Sequence, residues 1–120
     1  MAILMIVEDE EDVREFAKRF FEKRNVKVIS AGNAKEALEA LKNIQPDLAL
    51  FDINMEGMSG VELLKEIRRQ GNDLKVIMVT GLEDEEVAKE AIQWGIKGYI
   101  HKPLILEELE NVVFSELRIT

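Results

Sequence analysis

"LALFDINMEGMSGVELLKEI", residues Leu48 to Ile67, decides the fold. Leu48–Phe51 is continuously apolar and runs straight into Asp52, and a loop carrying Met55, Gly57, Met58 and Gly60 follows. A short uninterrupted apolar run reads as a strand buried on both faces. Ser59 with Glu62 three residues on is a capping box, and Leu63, Leu64 and Ile67 share one face of the helix it opens. Strand, loop and helix in that order make half of a crossover unit of a parallel sheet.

The same unit repeats along the chain. Ala2–Val7 is another short apolar run, followed by a helical pattern over Glu11–Arg24 with Val13, Phe16, Ala17, Phe20 and Phe21. Val26–Ala31 is a mixed strand, and Ala34, Ala37, Leu38 and Leu41 form a helical face behind Asn33 as N-cap, with Glu36 three residues later. Leu74–Thr80 is almost wholly apolar; Val87, Ala88, Ala91 and Ile92 mark a helix closed by Gly95. Lys97–His101 is a weaker strand, and Leu106, Leu109, Val112 and Val113 mark the last helix. Five strands alternating with five helices predict a parallel sheet with right-handed crossovers, covered on both faces. The almost wholly apolar strands belong in the centre and the mixed ones at the edges, which the order 2-1-3-4-5 satisfies. This is the flavodoxin-like, doubly wound α/β architecture, whose ligand crevice lies at the C-terminal ends of strands 1 and 3.

A chain of 120 residues suits one domain, spanning 1–120, and 47% hydrophobic residues suffice for its core. No apolar run approaches a membrane span, and MAILMIVEDE lacks the basic start and cleavage site of a signal peptide. The absence of cysteine rules out disulfides and thiolate metal sites and suits the cytoplasm. A net charge of −8 argues against direct binding to nucleic acid or anionic membranes. Lys18-Arg19, Lys23-Arg24 and Arg68-Arg69 read as solvated helix faces rather than a basic patch.

At the strand ends the sequence places Glu8-Asp9, Asp52, Thr80-Gly81 and Lys102-Pro103. Singly, each has a plain explanation: Glu8-Asp9 serves equally as a helix cap, and an Asp at a strand end is more often a turn residue than a nucleophile. Jointly they fall on one rim of the sheet. Three carboxylates in one crevice raise one another's pKa values unless a cation is present. With oxygen ligands alone, a hard ion fits; Mg²⁺ takes one or two carboxylates plus phosphate and keeps several waters, and Mn²⁺ is the natural substitute. An Asp carboxylate can accept a phosphoryl group, with a lysine and a metal offsetting the transferring charge.

At these residues the chain resembles the receiver domain of two-component response regulators, including the single-domain chemotaxis regulators. The match comprises Glu8-Asp9, Asp52 with Met55 three residues on, Gly60, Thr80-Gly81, Lys102-Pro103 and Tyr99. The resemblance implies that Asp52 is phosphorylated by a histidine kinase or phosphotransfer protein. It implies that Asp9, Asp52 and the Asn54 backbone carbonyl bind Mg²⁺, with Glu8 acting largely through water. Thr80 and Lys102 would contact the phosphoryl group, and the Lys102–Pro103 bond would be cis. Thr80 and Tyr99 would form the switch that reshapes the face of helix 4, strand 5 and helix 5, altering the affinity of a downstream partner. The only catalysis implied is the domain's own phosphorylation and dephosphorylation. Asn54 and Leu82 would set phosphoryl lifetime, and Leu82, unable to orient a water, implies slower self-hydrolysis than Glu or Gln there. Helix 1 is the family's kinase-docking element, and its outer face here offers Arg14, Lys18 and Glu22.

Four positions depart from the commonest family pattern. Glu8 replaces Asp, Glu56 stands where Pro usually follows the Met, Leu104 replaces Phe, and Trp94 occupies a site more often held by a smaller residue. Glu83-Asp84-Glu85-Glu86 and Glu107-Glu108 make the expected output face acidic. Glu107 sits where DNA-binding regulators that dimerise through this face usually carry Arg, so that dimer is not expected. Leu104–Leu106 is either a docking patch or part of the core. Met1 favours a complete single-domain regulator over an excised receiver. Two other functions compete: a phosphorylation-independent interaction domain on the same fold, and a haloacid-dehalogenase-type phosphatase. The phosphatase needs Asp-x-Asp where this chain has Asp52-Ile53-Asn54.

Overall fold

Continuous apolar runs become the three central strands of the computed structural model, which describes residues 1–81 and 85–118. In chain order the elements are β1 (Ile3–Val7), α1 (Glu11–Glu22), β2 (Lys27–Ala31), α2 (Ala34–Leu41) and β3 (Leu48–Asp52). They continue with α3 (Gly60–Arg69), β4 (Val76–Thr80), α4 (Glu85–Gln93), β5 (Gly98–His101) and α5 (Leu106–Leu117). The sheet is parallel throughout, in the order β2-β1-β3-β4-β5. β3 and β4 are buried along their whole length, whereas the edge strands β2 and β5 alternate buried and accessible residues.

Strand alternation divides the interior in two. Met5, Val7, Phe51 and Met78 pack beneath α2, α3 and α4, with Leu63, Leu64 and Ile67 as the main contribution of α3. Leu4, Ile6, Leu48, Leu50 and Ile77 pack beneath α1 and α5, against Phe20, Phe21, Leu109 and Val113. Both helix starts foreseen in the sequence form as hydrogen-bonded caps. Ser59 Oγ accepts from the Glu62 amide at 3.2 Å while Glu62 Oε1 accepts from the Ser59 amide at 3.2 Å. Asn33 Oδ1 accepts from the Glu36 amide at 2.9 Å, but Glu36 reaches past the cap to accept from the Gly32 amide at 2.8 Å.

Four apolar side chains counted into helical stripes lie outside the core: Phe16, Val87, Ile92 and Leu106. On α4, Ala88 and Ala91 are buried, while Val87 and Ile92 are 36% and 53% exposed. The helix lies on its small residues, so the bulkier ones are turned outward. Lys65 and Glu90 form an ion pair across α3 and α4. The Arg68 guanidinium donates to the Trp94 carbonyl at 2.9 Å and the Gly95 carbonyl at 2.6 Å, tying down the end of α4. Phe16, 54% exposed, flanks the α1 stripe and borders an open cavity with Val13, Pro103 and Leu104.

Gly60 is required by close approach. A Cβ built there would collide with the carbonyl oxygen of Asp52, and the Gly60 amide donates to the Ile53 carbonyl at 3.0 Å. Gly60→Ala is therefore expected to lose about 1–3 kcal/mol of stability, read as a lower urea midpoint at unchanged slope. A midpoint equal to that of the parent would show that the loop yields freely.

Candidate functional site

Four strand ends supply the site because a parallel sheet brings the C-terminal ends of its strands to one rim. β1 delivers Glu8 and Asp9, β3 ends at Asp52, β4 ends at Thr80, and β5 leads into Lys102. One carboxylate oxygen from each of Glu8, Asp9 and Asp52 lies within 4.8 Å of the others. Glu8 and Asp52 are buried, at 5% and 3% exposure, and Asp9 is exposed.

Burial, opposed by a hydrogen bond from the Glu10 amide and reinforced by the charge of Asp52, pushes the Glu8 carboxyl up to about 8. That amide donates to Glu8 Oε2 at 3.1 Å. Asp52 is held on both oxygens: the Asn54 amide donates to Oδ1 at 3.1 Å and the Lys102 ammonium to Oδ2 at 3.1 Å. Burial works against the Lys102 charge, but this hydrogen bond and the neighbouring Asp52, Glu8 and Glu10 outweigh it and raise its pKa.

Asp9 Oδ2 accepts from the Glu56 amide at 3.1 Å, which pins the loop after β3 to the end of β1. Proline at that position has no N–H and could not make this bond. The exposed Glu56 thus contributes through its backbone. Arg14 is turned from the outer face of α1 toward the site, where its Nη1 donates to the Glu8 carbonyl at 2.8 Å. Lys18 is half-buried and Glu22 exposed.

Thr80 is 1% exposed, and its Oγ1 lies 3.0 Å from Nδ1 of His101, the imidazole tautomer deciding which of the two donates. Tyr99 is 44% exposed and meets the His101 ring edge-on at 5.4 Å between centroids. The Lys102–Pro103 peptide is cis. Sequence reasoning passed over Arg14 as a site residue and His101 altogether. The signal for His101 was available in the topology, since the last residue of β4 stands in register with the last residue of β5. Leu82, Glu83 and Asp84 lie outside the described residues, while Glu107 and Glu108 are exposed at the start of α5.

All three carboxylates offer hard oxygen donors, so the residues present fit Mg²⁺ or Mn²⁺. Residues 4–114 match the family model described as the response regulator receiver domain. The chain belongs to that family. This receiver domain is 34% identical to the regulatory protein AtoC of Escherichia coli K12, over 97% of the chain and 25% of AtoC. It is 27% identical to sporulation initiation phosphotransferase F of Bacillus subtilis, over 92% of the chain and 89% of that protein. The crystal structure of the NtrX receiver domain from Brucella abortus superposes with a TM-score of 0.88 at 30% identity, covering 98% and 99% of the two chains. Against the first curated relatives the chain spans 25–50% of their length. Receiver domains take phosphoryl groups from histidine kinases or phosphotransfer proteins and generally bind Mg²⁺ at an acidic pocket. Among the described residues no helix is long and apolar enough to cross a membrane.

Proposed function

We propose that this receiver domain is a switch that takes a phosphoryl group onto Asp52 and thereby changes its affinity for a downstream protein. The observation that carries the reading is Asp52 itself: a buried carboxylate with Lys102 at 3.1 Å and two further carboxylates alongside. An Asp oxygen attacks phosphorus, the bond from phosphorus to the donor histidine nitrogen breaks, and the imidazole leaves and regains a proton. The product is an acyl phosphate on Asp52. Glu8, Asp9, Asp52 and the Asn54 carbonyl would hold Mg²⁺, which supplies charge neutralisation for the incoming phosphoryl oxygens. Lys102 and Thr80 contact those oxygens, Lys102 as a fixed positive charge and Thr80 as a hydroxyl donor.

Tyr99 and Thr80 then bias the face of α4, β5 and α5. Tyr99, Ile105, Leu106 and Ile92 are exposed on these elements, giving a partner apolar surface to recognise. Exposed Glu107 at the start of α5 supports a protein partner reached without the DNA-binding type of dimer. Asn54 and Leu82, each two residues beyond a reacting position, would tune phosphoryl lifetime.

Incubation with Mg²⁺ and acetyl phosphate tests the reading by intact mass. The expected result is a gain of one phosphate, blocked by EDTA and absent from Asp52→Asn. The same gain in Asp52→Asn, or none in the parent with acetyl phosphate or any histidine kinase, would overturn it.

A further inference from the structure

In register with each other at the ends of β4 and β5, Thr80 and His101 place their side chains on one face of the sheet. Tyr99, two residues earlier on β5, shares that face and stands opposite Met78, which packs in the core beneath α2, α3 and α4. His101 therefore lies between the two residues assigned to the switch. Its Nδ1 is 3.0 Å from Thr80 Oγ1, and its ring meets that of Tyr99 at an interplanar angle of 77°. Tyr99 and His101 also line a cavity of about 110 Å³ together with Glu85, Ala88 and Lys89 of α4. The hydroxyl of the buried Thr80 thus has its hydrogen bond on the α4 side.

A threonine hydroxyl carries one proton. While that proton is directed from Oγ1 to the lone pair of Nδ1 it is withheld from any oxygen on Asp52. We infer that His101 is a positioning residue that holds the Thr80 hydroxyl in the resting arrangement and opposes its turn toward the phosphoryl group. The inference rests on the reading of Asp52 as the acceptor. In the resting protein Thr80 donates and Nδ1 is the unprotonated nitrogen of the ring. Activation must give up this hydrogen bond, so its loss by mutation favours the activated arrangement.

Nitrogen NMR of the unmodified protein tests the first half. The Nδ1 resonance is expected at the position of an unprotonated, hydrogen-bonded nitrogen and should move in Thr80→Val; a protonated Nδ1, or one indifferent to Thr80→Val, overturns the inference. The second half is tested with beryllofluoride and Mg²⁺ as a phosphoryl analogue, read by NMR titration. His101→Phe keeps a ring against Tyr99 but has no acceptor, whereas His101→Asn keeps an acceptor where Nδ1 stands. His101→Phe should reach half-saturation at an about 2- to 10-fold lower concentration, the range a net hydrogen bond commands, while His101→Asn should stay near the parent. Equal tightening in both variants, or none in His101→Phe, refutes the role of Nδ1. A parent protein that takes up no beryllofluoride overturns the phospho-acceptor reading instead, and the nitrogen shift then decides the hydrogen bond by itself.

Discussion

Lys102→Met is expected to slow phosphoryl transfer from acetyl phosphate to Asp52 by about 10²- to 10³-fold, the usual effect of removing one preorganised donor from a developing charge. Methionine keeps most of the apolar stem and removes only the ammonium. The Lys102 ammonium lies 3.1 Å from Asp52 Oδ2, beside a carboxylate that is only 3% exposed. The Lys102 side chain itself is 33% exposed, so water takes the place of its charge only in part. Its loss makes the crevice more negative by one charge just where a phosphate-bearing donor must approach. Loss of the ion pair also frees Asp52 Oδ2 as an attacking oxygen, which acts in the opposite direction. The charge accumulating on the transferring group nevertheless dominates, because Lys102 faces it at the rim. Lys102→Arg should fall between the two: it keeps the charge but spreads it over a wider planar head. Single-turnover mass spectrometry at saturating Mg²⁺ reads the rate directly. A Lys102→Met protein as fast as the parent would remove Lys102 from the chemistry.

The strands were legible because a strand buried on both faces carries few polar side chains, here only Asp52 and Thr80 at the strand ends, so Leu48–Phe51 and the run ending at Thr80 announce themselves. Their order followed from the same cause, since only β2 and β5 carry exposed residues. Once the order is known, the strand ends converge, and Glu8, Asp9, Asp52, Thr80 and Lys102 come to one rim without any motif being needed.

Periodicity failed where size mattered more than polarity. On α4, Val87 and Ile92 fit an apolar stripe, but α4 meets its neighbours through Ala88 and Ala91. The sequence also gives no sign of backbone donors. Glu56 stood out only as a residue in the place of the usual Pro, whereas its amide is what Asp9 accepts from. Arg14 is misread on a helical wheel for a related reason: its long side chain reaches the Glu8 carbonyl from a position that looks solvent-facing.

Mg²⁺ binding is expected to tighten as the pH rises toward 8, by up to about tenfold per pH unit, with about one proton released per ion. Glu8 is the reason. Burial raises its carboxyl from an ordinary 4.5 to about 8, so at neutral pH the folded protein holds a proton that the unfolded chain has already lost. In the absence of metal, stability therefore falls as the pH rises from about 4.5 through about 8 and levels off above. A divalent cation favours the ionised carboxylate and must displace that proton to use the full charge of the cluster. The gain in thermal midpoint on adding Mg²⁺ should accordingly grow across the same window. Glu8 and Asp52 interact, so the proton belongs to the pair as well as to Glu8. Calorimetry in two buffers of different ionisation enthalpy counts it whichever oxygen holds it. Glu8→Gln has no such proton to lose: its metal-free stability should be flatter with pH and its Mg²⁺ affinity weaker but far less pH-dependent. Equal affinity of the parent at pH 6 and pH 8, with no proton release, would mean that the Glu8 carboxyl is already ionised in the folded protein and that burial does not govern the site's charge.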